Sequence, residues 1–239
     1  MPSSYVVEQA VPKTGRFVHA PEEKPWYQRS ATAGDDQGVS AIYLFSKRSL
    51  DLLVCFFAAP VFFAVIVLCA AAIRLDSPGP VFFFQLRTGK GGKRFKMYKL
   101  RTMVRNAEEL KQKYMHLNTL SYPDFKIAND PRITRVGRFL RKTSLDELPQ
   151  IFNVCKGDMS LVGPRPTSFS SETYSLWHTA RLECKPGLTG LWQVGGRNEL
   201  DFDERVRLDI AYMRNQSMWL DLQILFRTVG AVFTGRGAN

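Results

Sequence analysis

The chain has 239 residues, enough for one domain with its own core, and 45% of them are hydrophobic. A net charge of +11 and a pI of about 9.7 point to an anionic partner, which leaves nucleic acid, anionic lipid and phosphorylated small molecules in play. The four cysteines (Cys55, Cys69, Cys155, Cys184) make no C-x-x-C and read as small apolar residues in a reducing compartment, while His19, His116 and His178 are too scattered for a His-based metal site.

Residues 1–40 are polar, with Pro, Gly and mixed charge, and form a flexible tail or a small appendage. They lack the basic start and apolar core of a signal peptide. Leu52 to Ile73 then carries no charged residue and, at about 1.5 Å per residue, is long enough for a hydrocarbon core of about 30 Å. Length alone favours a spanning helix. Pro60 argues for a bend, because it removes a backbone hydrogen bond inside the run. Lys47 and Arg48 lie before the run, and Arg74, Arg87, Lys90, Lys93 and Arg94 follow it, so positive charge flanks both ends. A bent helix over residues 41–76 that enters and leaves the same leaflet satisfies both features, with Lys47, Arg48 and Asp51 at the interface.

Residues 77–239 form the remaining domain. Ser77 to Pro80 is a turn, Val81 to Leu86 a Phe-rich strand, Gly89-Lys90-Gly91-Gly92 a second turn and Phe95 to Leu100 a second strand, giving a hairpin. Gly92-Lys93-Arg94 does not satisfy the Walker A pattern. Lys99 and Arg101 continue the face of Phe95 and Met97, and either point into a site or form a solvated strand end. Asn106 to Asn118 reads as an exposed helix and Ser121 to Pro131 as a loop. Ile133 to Lys142 is helical, with Arg135, Arg138 and Arg141 on one face and Val136, Phe139 and Leu140 turned away. Arg135 and Arg138 suit solvent or lipid headgroups; Arg141 stands closest to the acids that follow.

Thr143 to Pro166 is the stretch around which the chemistry gathers. Ser144-x-x-Glu147 has the form of a capping box and predicts a helix start, with Leu148, Ile151, Phe152 and Cys155 facing a core. Pro149 kinks that helix or delays its start. Asp146 and Glu147 are either acids in a capped first turn or working carboxylates. A carboxylate at a helix start is expected to have a depressed pKa and to stay ionised, available as a nucleophile or as a ligand for a hard cation. Arg165, in Gly163-Pro164-Arg165-Pro166, can hold phosphate oxygens bidentately. Acid, cation-binding capacity and arginine together suit phosphoryl transfer.

Beyond it, Ser168 to Cys184 is read as helical and Lys185 to Gly190 as a loop leading to Leu191-Trp192-Gln193-Val194 and Gly195-Gly196-Arg197-Asn198. Asp203 to Asn215 is a helix with Val206, Ile210 and Met213 inward and Asp209 at the edge of that face. From Trp219 to Phe233 an apolar stripe of Trp219, Leu222, Phe226, Val229 and Phe233 either lies in a membrane interface or packs on the core.

Several ordered blocks carry a family resemblance. They are Lys47-Arg48-x-x-Asp51, Ser77 to Phe82, Tyr98 to Met103, Ser144 to Gln150, Gly157 to Pro166 and Lys185 to Gly190. From about Lys47 to the C-terminus the chain resembles the bacterial sugar transferases, the monotopic phosphoglycosyl transferases that start surface glycans on a polyprenol phosphate. The resemblance implies an α/β fold, mostly helical with a small β-hairpin, carried on one re-entrant membrane helix. That helix breaks at a Ser-Pro pair in the family; here the pair is Ala59-Pro60, without the serine.

The resemblance further implies that Asp146 takes a phosphosugar from a UDP-sugar, releasing UMP, before undecaprenyl phosphate accepts it. Glu147 acts as metal partner or as base, and Mg²⁺, held at Asp146 and Glu147, neutralises the diphosphate. Lys99, Arg141, Arg165 and Arg197 hold phosphate charge, and Asp209 completes the pocket. Membrane lipid is the implied surface, on the cytoplasmic face of a bacterial inner membrane, and a homodimer is compatible with the pattern. Nucleic acid is not an expected partner, since no recognised binding motif is present. The competing class is a membrane-tethered scaffold that binds nucleic acid or anionic lipid without catalysis.

Overall fold

The computed structural model describes residues 39–119, 127–169, 175–195 and 200–233. The expected tail over residues 1–40 lies outside them except for its last two residues. Helix α1 runs Ala41–Asp76 with Pro60 inside it. At about 1.5 Å per residue its 36 residues measure about 54 Å if straight. It is the one helix among the described residues long and apolar enough to cross a membrane, and most of its apolar surface is not covered by protein.

Both ends of α1 dock on the same body. Near its start, Lys47 Nζ reaches Asp221 Oδ2 at 2.6 Å and Tyr43 Oη donates to the same oxygen at 3.0 Å. Arg48 donates to the carbonyls of Val154 and Cys155, and Asp51 accepts from Ser160 Oγ and the Leu161 amide. Near its end, Arg74 donates to the Gly79 carbonyl and Asp76 accepts from the Val136 amide. Lys47, Arg48 and Asp51 are therefore docking groups that tie the helix to the domain.

A β-hairpin follows, β1 Phe82–Thr88 and β2 Arg94–Leu100, antiparallel with Phe82 opposite Leu100. Gly91 and Gly92 turn the chain with φ of 63° and 75°, a conformation that glycine adopts without strain. Of the two basic residues on β2's apolar face, Arg101 does not enter a site. Its guanidinium bonds the Ser77 and Pro78 carbonyls and fixes the exit from α1. The expected helix over residues 106–118 is short, α2 at Glu109–Lys113 followed by a 3₁₀ turn at Met115–Leu117.

Helix α3, Arg135–Thr143, is capped by Thr134 Oγ1, which accepts from the Gly137 amide. Val136 and Leu140 face inward as expected, but Phe139 is 60% exposed. Ser144 ends α3 in the left-handed region (φ 57°) and makes no side-chain cap bond, so the predicted capping box is not formed. Leu145–Gln150 is a 3₁₀ turn, and the α-helix proper, α4, runs Ile151–Lys156, after Pro149. Ile151 is buried, whereas Phe152 and Cys155 are exposed and Asn153 and Val154 are fully buried. The 3₁₀ turn advances by 3.0 residues per turn rather than 3.6, and this rotates the inward face away from the predicted one.

A second pair of strands, β3 Ser160–Val162 and β4 Gly187–Thr189, runs parallel. β4 lies where a loop was expected. Of Ser168 to Cys184, residues 170–174 lie outside the described set, and Leu176–Leu182 is 3₁₀. Helices α5 Leu191–Gly195, α6 Phe202–Arg214 and α7 Met218–Phe233 complete the domain. Asp201 caps α6 in a reciprocal box with Glu204. The main core joins Met97, Ile151, Val154, Met159, Leu161, Val162, Leu191, Tyr212, Leu220 and Ile224. Helix α7 turns Leu220, Asp221 and Ile224 inward and leaves Trp219 and Phe226 exposed at 62% and 76%, so its apolar stripe is not core. The side chain of Phe233 lies outside the described residues.

Candidate active site

Three local structures bring the acids and bases together. β2 ends at Leu100 and delivers Lys99; the 3₁₀ turn after α3 delivers Asp146 and Glu147; the loop after β3 delivers Arg165. Asn153 aligns the first two. Its Oδ1 accepts from the Tyr98 amide at 3.0 Å and its Nδ2 donates to the Lys96 carbonyl at 2.7 Å, so α4 grips the edge of β2 as another strand would. The Arg165 loop is held by extension of the β3–β4 ladder, with Gly163 N donating to Thr189 O and Gly187 N to Pro164 O, both at 2.9 Å.

Glu147 is the centre of an ion-paired cluster. Lys99 Nζ reaches its Oε1 at 2.8 Å and the Arg165 guanidinium reaches the same oxygen at 2.6 Å, with a longer contact of 3.4 Å to Oε2. Burial alone would raise the Glu147 pKa. The adjacent charges of Arg165 and Lys99, with their hydrogen bonds, outweigh that and hold the carboxyl far below the usual range.

Asp146 is different. It is buried and makes no side-chain hydrogen bond or ion pair with a described residue, and burial pushes its pKa up, aided by the Glu147 charge and opposed by Lys99, Arg141 and Arg165. The expectation of a depressed Asp146 is thus corrected. Without a formed cap no backbone donor meets its carboxylate, and desolvation wins. Arg141 donates from Nε to Thr102 Oγ1 at 2.9 Å, and its terminal nitrogens make no bond with a described residue. Burial disfavours its charge, which Asp146 and Asp130 support.

Asp209 does not join this cluster. It is 1% exposed rather than at a solvated edge, and it pairs with Arg181 at 2.5 Å. Burial raises its pKa to about 6, against the pull of Arg181 and Arg205. Arg181 also donates to the Arg165 carbonyl at 2.7 Å, so Asp209 is linked to Arg165 through Arg181. Arg197 lies outside the described residues. Sequence reasoning missed Asn153, Thr102 and Arg181. An asparagine inside an apolar helical run is a readable anomaly; Arg181 carried no signal.

The donor set suits a hard divalent cation only in part. No group of three or more His, Cys, Asp or Glu side chains gathers among the described residues. Mg²⁺ commonly uses one or two carboxylates plus substrate phosphates, and Asp146 offers the open oxygens for that arrangement. Glu147 offers them only after Lys99 and Arg165 let go.

Residues 42–235 match the family described as Bacterial sugar transferase. The undecaprenyl-phosphate galactose phosphotransferase of Salmonella typhimurium is 44% identical over 199 residues, 81% of this chain and 42% of that protein. The exopolysaccharide production protein ExoY of Rhizobium meliloti is 40% identical over 198 residues, 81% of this chain and 88% of that protein. The UDP-glucose:undecaprenyl-phosphate glucose-1-phosphate transferase of Caulobacter vibrioides is 41% identical over 199 residues, 79% of this chain and 70% of that protein. The chain therefore spans less than half of the Salmonella protein and most of ExoY.

Proposed function

The chain belongs to the bacterial sugar transferase family, and on that premise we propose that it moves a phosphosugar from a UDP-sugar to undecaprenyl phosphate at a membrane surface, initiating an exopolysaccharide or another surface glycan. The observation that carries this reading is the bare, buried Asp146 carboxylate beside Lys99, Arg141 and Arg165. A cap or a surface acid would be exposed or hydrogen-bonded. A carboxylate free of partners among the described residues, within the field of three cations, suits a nucleophile that must meet an anionic substrate.

In the first step an Asp146 oxygen forms a bond to the sugar-bearing phosphorus. The bond from that phosphorus to the bridging oxygen breaks, and UMP leaves with the electron pair. In the second step an oxygen of undecaprenyl phosphate attacks the same phosphorus and the Asp146–phosphorus bond breaks, restoring the carboxylate. Arg165, Lys99 and Arg141 hold phosphate oxygens, and Asp146 with a released Glu147 would hold Mg²⁺, whose charge would offset that of the diphosphate. Arg197 and Asp209 retain their expected roles around the pocket, Asp209 through Arg181.

The membrane helix fits a re-entrant, monotopic arrangement on the cytoplasmic face. A straight spanning helix would carry its two ends to opposite sides of about 30 Å of hydrocarbon. Contacts of Lys47 with Asp221 and of Asp76 with Val136 require both ends beside one body, which supports entry and exit on one side. Helix α7's exposed Trp219 and Phe226 suit the same interface. Undecaprenyl phosphate presents its phosphate at that level, while the UDP-sugar arrives from water. The sugar itself is open, since the relatives' names include galactose and glucose.

The test is a panel of UDP-sugars with undecaprenyl phosphate, Mg²⁺ and the full chain in detergent, scored by UMP release. One sugar nucleotide should give UMP over many turnovers when the lipid is present, and no more than one UMP per protein without it. No release with any sugar, together with a salt-sensitive shift of DNA or RNA, would favour the non-catalytic scaffold instead.

A further inference from the structure

Glu147 is the second acid of the pair, and its half-buried carboxylate is taken up by two cations. Lys99 and Arg165 enclose it at 2.8 and 2.6 Å, and together they are the cations best placed for substrate phosphate. The cavity beside Arg165, between Thr88–Gly89, Pro164–Thr167 and Arg181–Pro186, holds only about 10 Å³ among the described residues. Glu147 engages donors on both Arg165 and Lys99 that a substrate anion would use, while the Arg165 side chain stays 37% exposed.

Resting on the phosphoglycosyl transferase reading, we propose that Glu147 is an internal stand-in for substrate phosphate, which the incoming diphosphate displaces from Arg165 and Lys99. A carboxylate and a phosphate present the same pair of acceptor oxygens to a guanidinium fork, so one can replace the other without rebuilding the site. The diphosphate carries more negative charge than the single carboxylate, and this favours the exchange. Displacement leaves Glu147 unpaired beside Asp146. Two adjacent carboxylates repel, so entry of the anion favours a cation beside the acid pair. The clasp thereby keeps the cations charged and oriented before substrate arrives and couples the pair's second role to occupancy.

The experiment measures binding rather than turnover. Isothermal titration calorimetry of the full chain in detergent, with EDTA present, compares UMP and UDP binding to wild type and to Glu147→Gln. The glutamine keeps the size and loses the charge that competes with phosphate, so UDP should bind at least about five-fold more tightly to the variant. Equal or weaker binding would overturn the proposal. If Glu147→Gln does not fold, Glu147→Asp decides, because the shorter acid reaches both cations poorly and should also bind UDP more tightly than wild type. Wild type that binds UDP and turns over, with neither variant tighter, removes the clasp alone. No binding of UMP or UDP by any form, with or without Mg²⁺, overturns the transferase reading as well.

Discussion

Gly187→Ala tests how the Arg165 loop is held. Gly187 pairs with Ser160 across the β3–β4 ladder, and the two chains approach so closely that a Cβ at Gly187 would lie 2.7 Å from Gly163 Cα and nearer still to Gly163 N and Thr189 O. All three are backbone atoms, so no rotamer change relieves the collision. Restoring an ordinary 3.4 Å separation from Gly163 Cα alone requires the chains to part by about 0.7 Å (3.4 − 2.7), and the nearer Gly163 N requires more. Three bonds cross this junction, Ser160 N to Pro186 O, Gly163 N to Thr189 O and Gly187 N to Pro164 O, each at 2.9 Å. At about 1 kcal/mol apiece their loss destabilises the domain by about 3 kcal/mol. For a chain of this size that lowers Tm by roughly 6–12 °C. Arg165 sits two residues beyond Gly163, and a displacement near 1 Å can reduce turnover by about 100-fold. Thermal unfolding in detergent and UMP release measure the two effects on one preparation. Gly230→Ala is the control, because nothing stands within 4 Å of its Cβ. Wild-type Tm and turnover in Gly187→Ala would refute the argument that this junction positions Arg165.

Other outcomes follow from the titrating groups and from the helix. Because burial raises Asp146, the first half-reaction should lose rate on the acid side at a pH above the ordinary aspartate range of about 4, and Glu147→Gln, which removes a charge that raises Asp146, should move that limb to lower pH; a fixed limb would contradict this. Asp209 has a folded pKa of about 6, above its unfolded value, so the associated stability is present below about pH 4 and is lost as pH rises through about 6. Relative to Asp209→Asn, wild-type Tm should fall across that window; a constant gap would contradict it. Arg181→Lys cannot reach both Asp209 and the Arg165 carbonyl and should lower kcat about ten-fold with KM little changed. Single cysteines placed at Ser40 and at Lys90 should both escape an impermeant thiol reagent in intact cells, and labelling of one alone would establish a spanning helix.

The cluster around Glu147 was legible in part because its residues fall in short blocks. Asp146, Glu147, Lys99 and Arg165 come from three separate segments, and the structure brings Lys99 and Arg165 onto Glu147. The hairpin was legible too, since Gly89 to Gly92 between apolar runs has few other solutions. What failed has a common origin in backbone detail. Ser144-x-x-Glu147 matches a capping box in letters, but Ser144 adopts φ 57° as the end of α3, and Pro149 selects a 3₁₀ turn over a first α turn. That single change moved Phe152 and Cys155 outward, buried Asn153 and left Asp146 without the donors that would have lowered its pKa. β4 escaped notice because three residues within Lys-Pro-Gly-Leu-Thr-Gly show no alternation, and the strand exists only through its partner Ser160–Val162. Long-range pairs such as Arg181 with Asp209 leave no local pattern at all.

If Asp146 carries the phosphosugar, isotope exchange occurs without any lipid. Wild-type protein in detergent is incubated with the cognate UDP-sugar, Mg²⁺ and labelled UMP, with no undecaprenyl phosphate. A covalent first step predicts that label enters the UDP-sugar, that Asp146→Asn abolishes the exchange, and that the peptide holding Asp146 gains the mass of one phosphosugar. Exchange that appears only after lipid is added would mean direct transfer between two bound substrates and would contradict the account.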